Sequence, residues 1–421
     1  MKTFQPYIIT SLKDYSKDKL IKDLIAGVIV AIIALPLSIA LAIASGVGPE
    51  IGLYTAIVAG FIISLLGGSA VQIAGPTAAF ASIVAGIVIT KGMQGLAIST
   101  VLAGVLLLIM GILRLGNLIK FIPHSITVGF TAGIAVTIAV GQVKDFLGLT
   151  FNTTPIETFE KIEAIIESIT TTNLWGVVIG TVALIILILL PKVLPRVPAS
   201  LVAVLITAAI VKLASLPVNT IGTLYPNITS APPKFSLPQL SVDTVFNALP
   251  DAVTIAVLAA VESLLSCVVA DSMVGSRHNS NTELIAQGFG NIGSALFGGI
   301  PATGAIARTA ANVKNGGRSP ISGITHAVVL LLVLLVLMPY AKLIPMPAIA
   351  AILFVVAYNM SEYKKFAKIC SSRKAADILV LVLTFVLTVV FDLVVAIVIG
   401  LVLHYAIVLA QKFLFKTKEK S

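Results

Sequence analysis

Charged residues are scarce in this chain, and so are cysteines. Asp, Glu, Lys and Arg make up 11% of its 421 residues, whereas 58% are apolar and the mean hydropathy is +1.08. Because soluble domains carry about 25% charged residues, this composition excludes a soluble globular protein and predicts a polytopic membrane protein. Of the two cysteines, Cys267 lies in an apolar segment and Cys370 in a polar loop, which excludes a disulfide framework.

Several kinds of chemistry have no support in the sequence. There is no P-loop lysine motif, nucleophile elbow or closely spaced pair of cysteines. His124 and His278 stand at cytoplasmic ends of segments, and His326 and His404 lie on apolar segments with no second ligand at metal-binding spacing. The few polar residues of the apolar segments cannot assemble an activated nucleophile. We therefore predict that the chain is not an enzyme and has no cofactor or metal. Basic loops beside anionic lipid explain the net charge of +10, so we expect no nucleic-acid partner.

The apolar residues form fourteen segments, and most reach the roughly 20 residues that a membrane span requires. Their approximate bounds are 24–44, 50–67, 74–90, 95–113, 122–141, 173–191, 198–214, 248–270, 284–299, 301–313, 321–338, 343–358, 376–391 and 393–411. Most Lys and Arg residues fall on one side of this arrangement, which places both termini in the cytoplasm. We expect a multi-pass protein of a bacterial-type inner membrane.

A polar, proline-bearing stretch divides this single membrane domain (1–421) into two halves. We expect a first repeat over 1–215, an extracellular connector over 216–247, a second repeat over 248–412 and a short cytoplasmic tail over 413–421. Gly67-Gly68 and Gly298-Gly299 each end an apolar segment and lead into one of the two short segments, the third and the tenth. Paired short segments of this kind indicate internal duplication.

Two motifs at the start of the short segments predict the binding site. Gly75–Phe80 and Ile300–Ala305 each contain a proline, a threonine and small residues, so we expect Pro76 and Pro301 in the first turns of two half-helices. A helix that begins at mid-membrane directs free N–H groups and its positive dipole end at a ligand. The predicted substrate-binding residues are Thr77, Ala78, Ala79, Phe80, Ala302, Thr303, Gly304 and Ala305.

Two charged residues complete the predicted site. Arg308 follows the second motif inside the membrane and suits attraction of an anion, although a structural ion pair with Glu262 is an alternative. Glu262 lies deep in the eighth segment, where an ionised side chain is costly and a functional role is the default. Ser266 lies one helical turn from Glu262, so the pair could bind a proton or, with Thr303, sodium. A protonated Glu262 that bonds to a neighbouring helix is the structural alternative.

These residues belong to a set of motifs through which the chain resembles the SulP sulfate-permease family of anion transporters. The resemblance covers essentially the whole chain, in order. The motifs that carry it are Ala34–Val47, Gly52–Tyr54, Gln72–Thr77, Ile122–Ser125, Glu262–Ser266, Ala270-Asp271, Arg277-His278, Gly299–Thr309 and Asp392–Ala396.

The resemblance implies an all-α fold of fourteen segments in two inverted seven-segment repeats. A core of segments 1–4 and 8–11 would move against a gate of segments 5–7 and 12–14 in an elevator-like cycle. The two half-helices would meet at mid-membrane around the anion, and the pocket would be completed by the first segment near Leu35–Leu37 and by Glu262. A homodimer is also implied.

Two departures from the family pattern bear on function. Many members end in a cytosolic STAS domain, whereas this chain stops about ten residues after its last apolar segment, so we expect no such domain within it. Leu37 stands where many sulfate permeases have Gln, which weakens sulfate as the substrate and leaves bicarbonate, chloride and small dicarboxylates open. Sodium-coupled bicarbonate members have Asp at the position of Glu262, and we therefore favour proton coupling.

The sequence thus predicts a secondary active transporter of a small anion (sulfate, bicarbonate or a dicarboxylate) that is coupled to protons. The alternatives are a sodium-coupled bicarbonate transporter, an anion exchanger or channel, and a nucleobase transporter of the same fold. Nucleobase transporters typically have an acidic residue in the tenth segment, where this chain has Arg308 and no acid. The expected partners are the anion, membrane lipid and a second copy of the chain.

Overall fold

The computed structural model of the chain describes residues 4–13, 15–117, 123–195, 197–372, 374–391 and 393–418. Three features of the sequence analysis lie outside these residues. They are Ile122 and Asp392, which belong to two of the family motifs, and residues 419–421 of the predicted tail.

The described residues form helices joined by short loops, with one pair of two-residue strands. In the first half the helices are α1 (Tyr7–Ser11), α2 (Lys17–Ala44), α3 (Pro49–Leu66), α4 (Ala81–Ile112), α5 (His124–Leu147), α6 (Thr158–Glu167), α7 (Leu174–Val193) and α8 (Ala199–Leu213). The others are α9 (Ile221–Leu224), α10 (Val242–Val274), α11 (Ser280–Leu296), α12 (Ile306–Lys314), α13 (Pro320–Ala341), α14 (Met346–Met360), α15 (Tyr363–Cys370), α16 (Ala375–Val390) and α17 (Leu393–Lys418). The strands are β1 (Ala74–Gly75) and β2 (Thr303–Gly304), and 3-10 turns cover Ala78–Phe80 and Ile169–Thr171.

Each of the fourteen predicted apolar segments corresponds to a helix or to half of one. In the described part of the chain, eight helices are long and apolar enough to cross a membrane, and α8, α16 and Val395–Val408 are shorter apolar helices. The third and fourth segments form a nearly continuous unit that bends at Gly92, where φ is 67° and glycine is favoured. The prediction of a helical polytopic membrane protein is confirmed. It needs one correction, since two short strands are present.

Polar side chains cap the N-termini of α10, α11 and α13. The Ser241 side chain accepts a hydrogen bond from the Thr244 amide at the start of α10, and Asn279 accepts from two amides at the start of α11. The first turn of α13 is held by Asp23 of α2, which is fully buried and accepts hydrogen bonds from the amides of Arg318 and Ser319. These side chains satisfy N–H groups that a helix start leaves unpaired.

The helices pack in two groups, as the core and gate division requires. One group contains α2, α3, α4, α10, α11, α12 and α13, and the other contains α5, α7, α8, α14, α16 and α17. Small residues allow close approach within the first group, where a Cβ added at Gly104 would lie 2.7 Å from the Gly288 carbonyl oxygen. Contacts of α2 with α5, α8 and α14 join the two groups.

The two strands join the halves of the chain at the centre of the first group. They pair antiparallel, with Ala74 opposite Gly304 and Gly75 opposite Thr303, which is the relative direction that inverted repeats produce. This pairing corrects the expected position of the prolines. Pro76 and Pro301 lie in the extended segments before the helices, so neither occupies a first helical turn.

Candidate functional site

The first half-helix begins with the 3-10 turn that leads into α4. Thr77 is its N-cap, and the side chains of Ala78, Ala79 and Phe80 are buried, at 7%, 3% and 1% exposure. Within the described part of the chain, the amides of Ala78 and Ala79 donate to no protein acceptor. They are therefore the donors that the first half offers to a ligand.

The second half-helix begins later than the sequence suggested. The Gly304 amide donates to Ser263 Oγ at 3.1 Å, and the Ala305 amide donates to the Ile73 carbonyl at 2.8 Å. The expectation that these two amides are free is wrong, because strand pairing and α10 engage them. Helix α12 starts at Ile306 with Ala305 as its N-cap, and the amides of Ile306 and Ala307 have no acceptor among the described residues.

Ala302 and Thr303 are both buried and fixed by neighbouring side chains. The Ala302 amide donates to Asn291 Oδ1, and the Ala302 carbonyl accepts from Asn291 Nδ2, each at 2.9 Å. The Thr303 hydroxyl lies 2.7 Å from Ser263 Oγ and donates to the Ala259 carbonyl at 3.3 Å. Asn291 and Ser263 were missed by the sequence analysis, since an isolated polar residue in an apolar segment gives no sign of its tertiary partner.

Arg308 supplies the positive charge between the two helix starts. It is 2% exposed, and its Nη2 donates to the carbonyl of Pro76 in the first half. Its Nε and Nη1 are buried without an acceptor, and no ion pair with Glu262 is present among the described residues. Buried donors are rarely left unsatisfied in proteins, so two free guanidinium nitrogens at this position favour an acceptor from outside the chain.

Glu262 faces the first half-helix from α10. It is partly buried, and its Oε2 accepts a hydrogen bond from the Thr77 hydroxyl at 2.9 Å. Ser266 turns to α12 instead, where its hydroxyl donates to Thr309 Oγ1 at 3.3 Å. None of Glu262, Ser266 and Thr303 is hydrogen-bonded to another of the three in the described part of the chain. The first segment contributes Leu35 and Leu37 as partly buried packing residues.

A second acid, Glu283, supports the segment that leads into β1. Glu283 is fully buried, and its carboxylate accepts from the Gly68 amide at 2.9 Å, from Gln72 Nε2 at 2.7 Å and from Gln287 Nε2 at 2.9 Å. The Cys267 thiol donates to Gln72 Oε1 at 3.1 Å. Glu283 gave no such signal in the sequence, because it stands one residue outside the apolar segment that begins at 284.

A polar crevice leads from the surface to the first half-helix. It has a volume of about 330 Å³ and lies between α4, α5, α6, α10 and α16, with Ala79 in its lining. Ser82, Thr137 and Thr254 line it with hydroxyl groups, and Asp251 on its wall forms an ion pair with Lys91 at 2.5 Å. The crevice therefore brings hydroxyl groups and an ion pair close to Ala79 of the first half-helix.

Comparison with known proteins identifies the group to which this architecture belongs. The Sulfate permease family matches residues 20–384. The chain belongs to the sulfate permease family. This membership confirms the resemblance drawn from the motifs and establishes an integral multi-pass membrane transporter of anions rather than an enzyme.

Proteins that are similar to this sulfate permease family member are named for different substrates. A putative sulfate transporter, YvdB of Bacillus subtilis, is 47% identical over 376 residues, which cover 89% of this chain and 70% of that protein. The bicarbonate transporter BicA of Picosynechococcus is 32% identical over 329 residues, which cover 75% of this chain and 57% of BicA.

A solved structure supports the fold assignment of this sulfate permease family member. The transmembrane domain of a cyanobacterial BicA superposes with a TM-score of 0.82 at 30% identity, covering 91% of this chain and 98% of that domain. The helix packing described above is therefore the arrangement of a known anion transporter.

Proposed function

We propose that the chain is a secondary active transporter that binds one small anion between its two helix starts. The observation that carries this proposal is the pair of buried, unpartnered nitrogens of Arg308. They lie where the dipole ends of the two half-helices add positive potential, and the free amides of Ala78, Ala79, Ile306 and Ala307 offer further donors. An anion would satisfy all of these groups at once.

The anion that we propose is sulfate, bicarbonate or a small dicarboxylate. The relatives support the first two by name, and an amide-rich site with one fixed positive charge suits any compact oxyanion. The small side chains of Ala78 and Ala79 leave room for a ligand to approach their free amides closely, and the buried Phe80 ring would form the floor of the site. Leu37, in the first segment, adds no hydrogen-bonding group to the pocket.

We propose that uptake is coupled to protons through Glu262. Its carboxylate is joined to the first half-helix through Thr77, so its charge acts directly on the anion pocket. A proton on Glu262 would remove a negative charge beside the anion, and by linkage each ligand would then favour the binding of the other. Sodium at Glu262, Ser266 and Thr303 is less favoured, because these side chains bond to different partners, Thr77, Thr309 and Ser263 respectively, and share none.

The transport cycle that we propose is an elevator movement of the core group against the gate group. The separate packing of the two groups supports this proposal, and the crevice beside Ala79 would give the anion access from the side that bears α6. We further propose a homodimer in a bacterial-type inner membrane with both termini in the cytoplasm, as the distribution of basic residues indicates.

The experiment is uptake of radiolabelled sulfate, bicarbonate and succinate into proteoliposomes, with proton and sodium gradients imposed separately. We expect one anion to accumulate against its gradient when protons drive it. Arg308→Gln should abolish uptake of that anion, and Glu262→Gln should abolish the response to the proton gradient. Arg277→Gln and Glu163→Gln are matched controls, because both residues are exposed and should leave uptake unchanged.

The outcomes distinguish the candidates. Uptake by Glu262→Gln that equals the wild-type rate at every pH from about 5 to 8 would contradict proton coupling at this residue. Accumulation driven by sodium alone would favour the sodium-coupled alternative. Anion flux that only follows its own gradient would favour a channel, and flux that requires an anion on the opposite side would favour an exchanger.

A further inference from the structure

An apolar groove lies between the two helix groups, away from the candidate anion site. It has a volume of about 500 Å³ and is lined by α2 and α13 of the core and by α8 of the gate. Its floor consists of buried side chains such as Ile39, Leu53 and Val204. With one charged residue in its lining, the groove offers water too few polar partners to be filled stably.

The groove is open along its length to the space that the bilayer occupies. Three of its lining side chains are strongly exposed, with Leu205 at 60%, Leu337 at 46% and Tyr340 at 67%. It runs along α8 from Leu201 to Lys212, a distance of about 16 Å at 1.5 Å per residue. Since its open side consists mainly of apolar side chains of α13, which is long enough to cross a membrane, and of the shorter apolar helix α8, the molecules that reach it are those of the hydrocarbon region.

One end of the groove carries a single positive charge. Lys212 lies in the last turn of α8, is exposed, and has no hydrogen-bond or ion-pair partner among the described residues. A lysine at the end of a membrane helix extends its ammonium group to the interface. The groove therefore combines an apolar slot with a cation at the level of the lipid headgroups.

The lining and the charge of the groove indicate its occupant. The slot is apolar except for Tyr340 and for Lys212, which stands at one end. One acyl chain is narrow enough for the slot, and a phosphate headgroup is the complement of Lys212. We propose that this groove binds one anionic phospholipid, with an acyl chain between α2, α8 and α13 and its phosphate at Lys212.

Such a lipid would contact both helix groups. Its acyl chain would reach Leu35 and Pro36 of α2, beside Leu37 of the proposed anion pocket, while its other side would rest on α8 of the gate. Relative movement of the two groups would then change the shape of the slot. The bound lipid would consequently affect the transport rate, an effect that rests on the proposed function, whereas binding itself does not.

Native mass spectrometry of the purified chain, incubated with phosphatidylglycerol or phosphatidylcholine, tests the binding. We expect one phosphatidylglycerol to be retained preferentially, and Lys212→Gln to weaken its retention about fivefold, as the loss of one basic contact implies. Lys234→Gln, which removes an exposed lysine outside the groove, should retain lipid as the wild type does. Equal retention of the two lipids by the wild type would overturn the proposal.

A second pair of variants tests the location of the acyl chain. Ala208→Trp fills the slot from α8, whereas Ile206→Trp places the same side chain on an exposed position of α8 outside the lining. Only Ala208→Trp should lose the bound lipid, at an unchanged unfolding temperature. Retention of lipid by Ala208→Trp, or equal losses from both variants, would contradict the assigned site. Uptake measured in vesicles with and without phosphatidylglycerol then tests the effect on rate separately.

Discussion

The hydroxyl of Thr77 donates a hydrogen bond to Oε2 of Glu262 at 2.9 Å, although 185 residues separate the two in the chain. Thr77 caps the first half-helix, and Glu262 lies on α10 of the second repeat. The bond therefore connects the first half-helix, which is predicted to bind the anion, to the side chain that is predicted to carry the proton.

Thr77→Val should weaken transport by removing this bond without changing the size of the side chain. A hydrogen bond to a charged group contributes about 1.5–3 kcal/mol, so uptake at low anion concentration should fall about tenfold or more. Thr77→Ser keeps the hydroxyl and should retain most activity. Thr325→Val is a matched control, since its hydroxyl donates to the Ile321 carbonyl of its own helix. Equal uptake by Thr77→Val and wild type would contradict a role for the bond.

Gly304→Ala should impair anion binding because the new Cβ has no space. It would lie 2.5 Å from Cδ and 2.8 Å from Oε1 of Gln72, so Gln72 would have to leave its partner Glu283. We expect a raised KM for the anion, measured by concentration-dependent uptake. Gly141→Ala is the control, because a Cβ there meets nothing within 4 Å and the substitution should favour the helix. An unchanged KM in Gly304→Ala would show that the pocket lies elsewhere.

Glu283→Gln should loosen the segment that leads into β1. Three donors converge on this carboxylate, and an amide in its place would direct N–H groups at other donors. Cys267, which is fully buried and bonded to Gln72, then reports the change. In a Cys370→Ser background, a membrane-permeant maleimide should label Cys267 at least about tenfold faster in Glu283→Gln, given the strength of such bonds. Glu163→Gln should leave the labelling rate low, and equal protection in both variants would contradict the proposed support.

Tyr15 gives a prediction for alkaline pH. Burial, with the hydrogen bond that its hydroxyl donates to Asp23, raises the pKa of Tyr15 from 10.0 to about 12. A raised pKa means that Tyr15 stabilises the fold below pH 10 and that this contribution disappears as the pH rises through 12. The unfolding temperature of the wild type should therefore fall more steeply between pH 10 and 12 than that of Tyr15→Phe. Parallel curves for the two proteins would contradict this assignment.

The sequence predicted the helices well because hydropathy and length decide whether a segment enters a membrane. The boundary between the third and fourth segments was also visible, since Lys91 and Gly92 interrupt the apolar run where α4 bends. Hydropathy and segment length did not predict that the side chains of Asp23 and Glu283 are buried. A charge ends an apolar run in the sequence even where tertiary partners allow it to be fully buried, and most of those partners come from the other half of the chain.

The position of the second helix start was predicted less well, for a related physical reason. Proline followed by small residues is compatible with either a first helical turn or an extended segment. The pairing of Ala74 with Gly304 decides between them, and backbone pairing across 230 residues leaves no local signal. Arg308 was found because an arginine in an apolar segment needs an explanation whatever the fold.

The paired strands also limit how the anion can leave. Their hydrogen bonds are main-chain bonds in the interior of a membrane protein, where breaking one without a replacement partner costs several kcal/mol. Substitutions can change the side chains that line the pocket, but they leave the spacing of the two helix starts unchanged, because main-chain pairing sets that spacing. In the proposed cycle the two helix starts would therefore move together at a fixed spacing, and an anion bound between them would be released sideways when the gate group moves away from them.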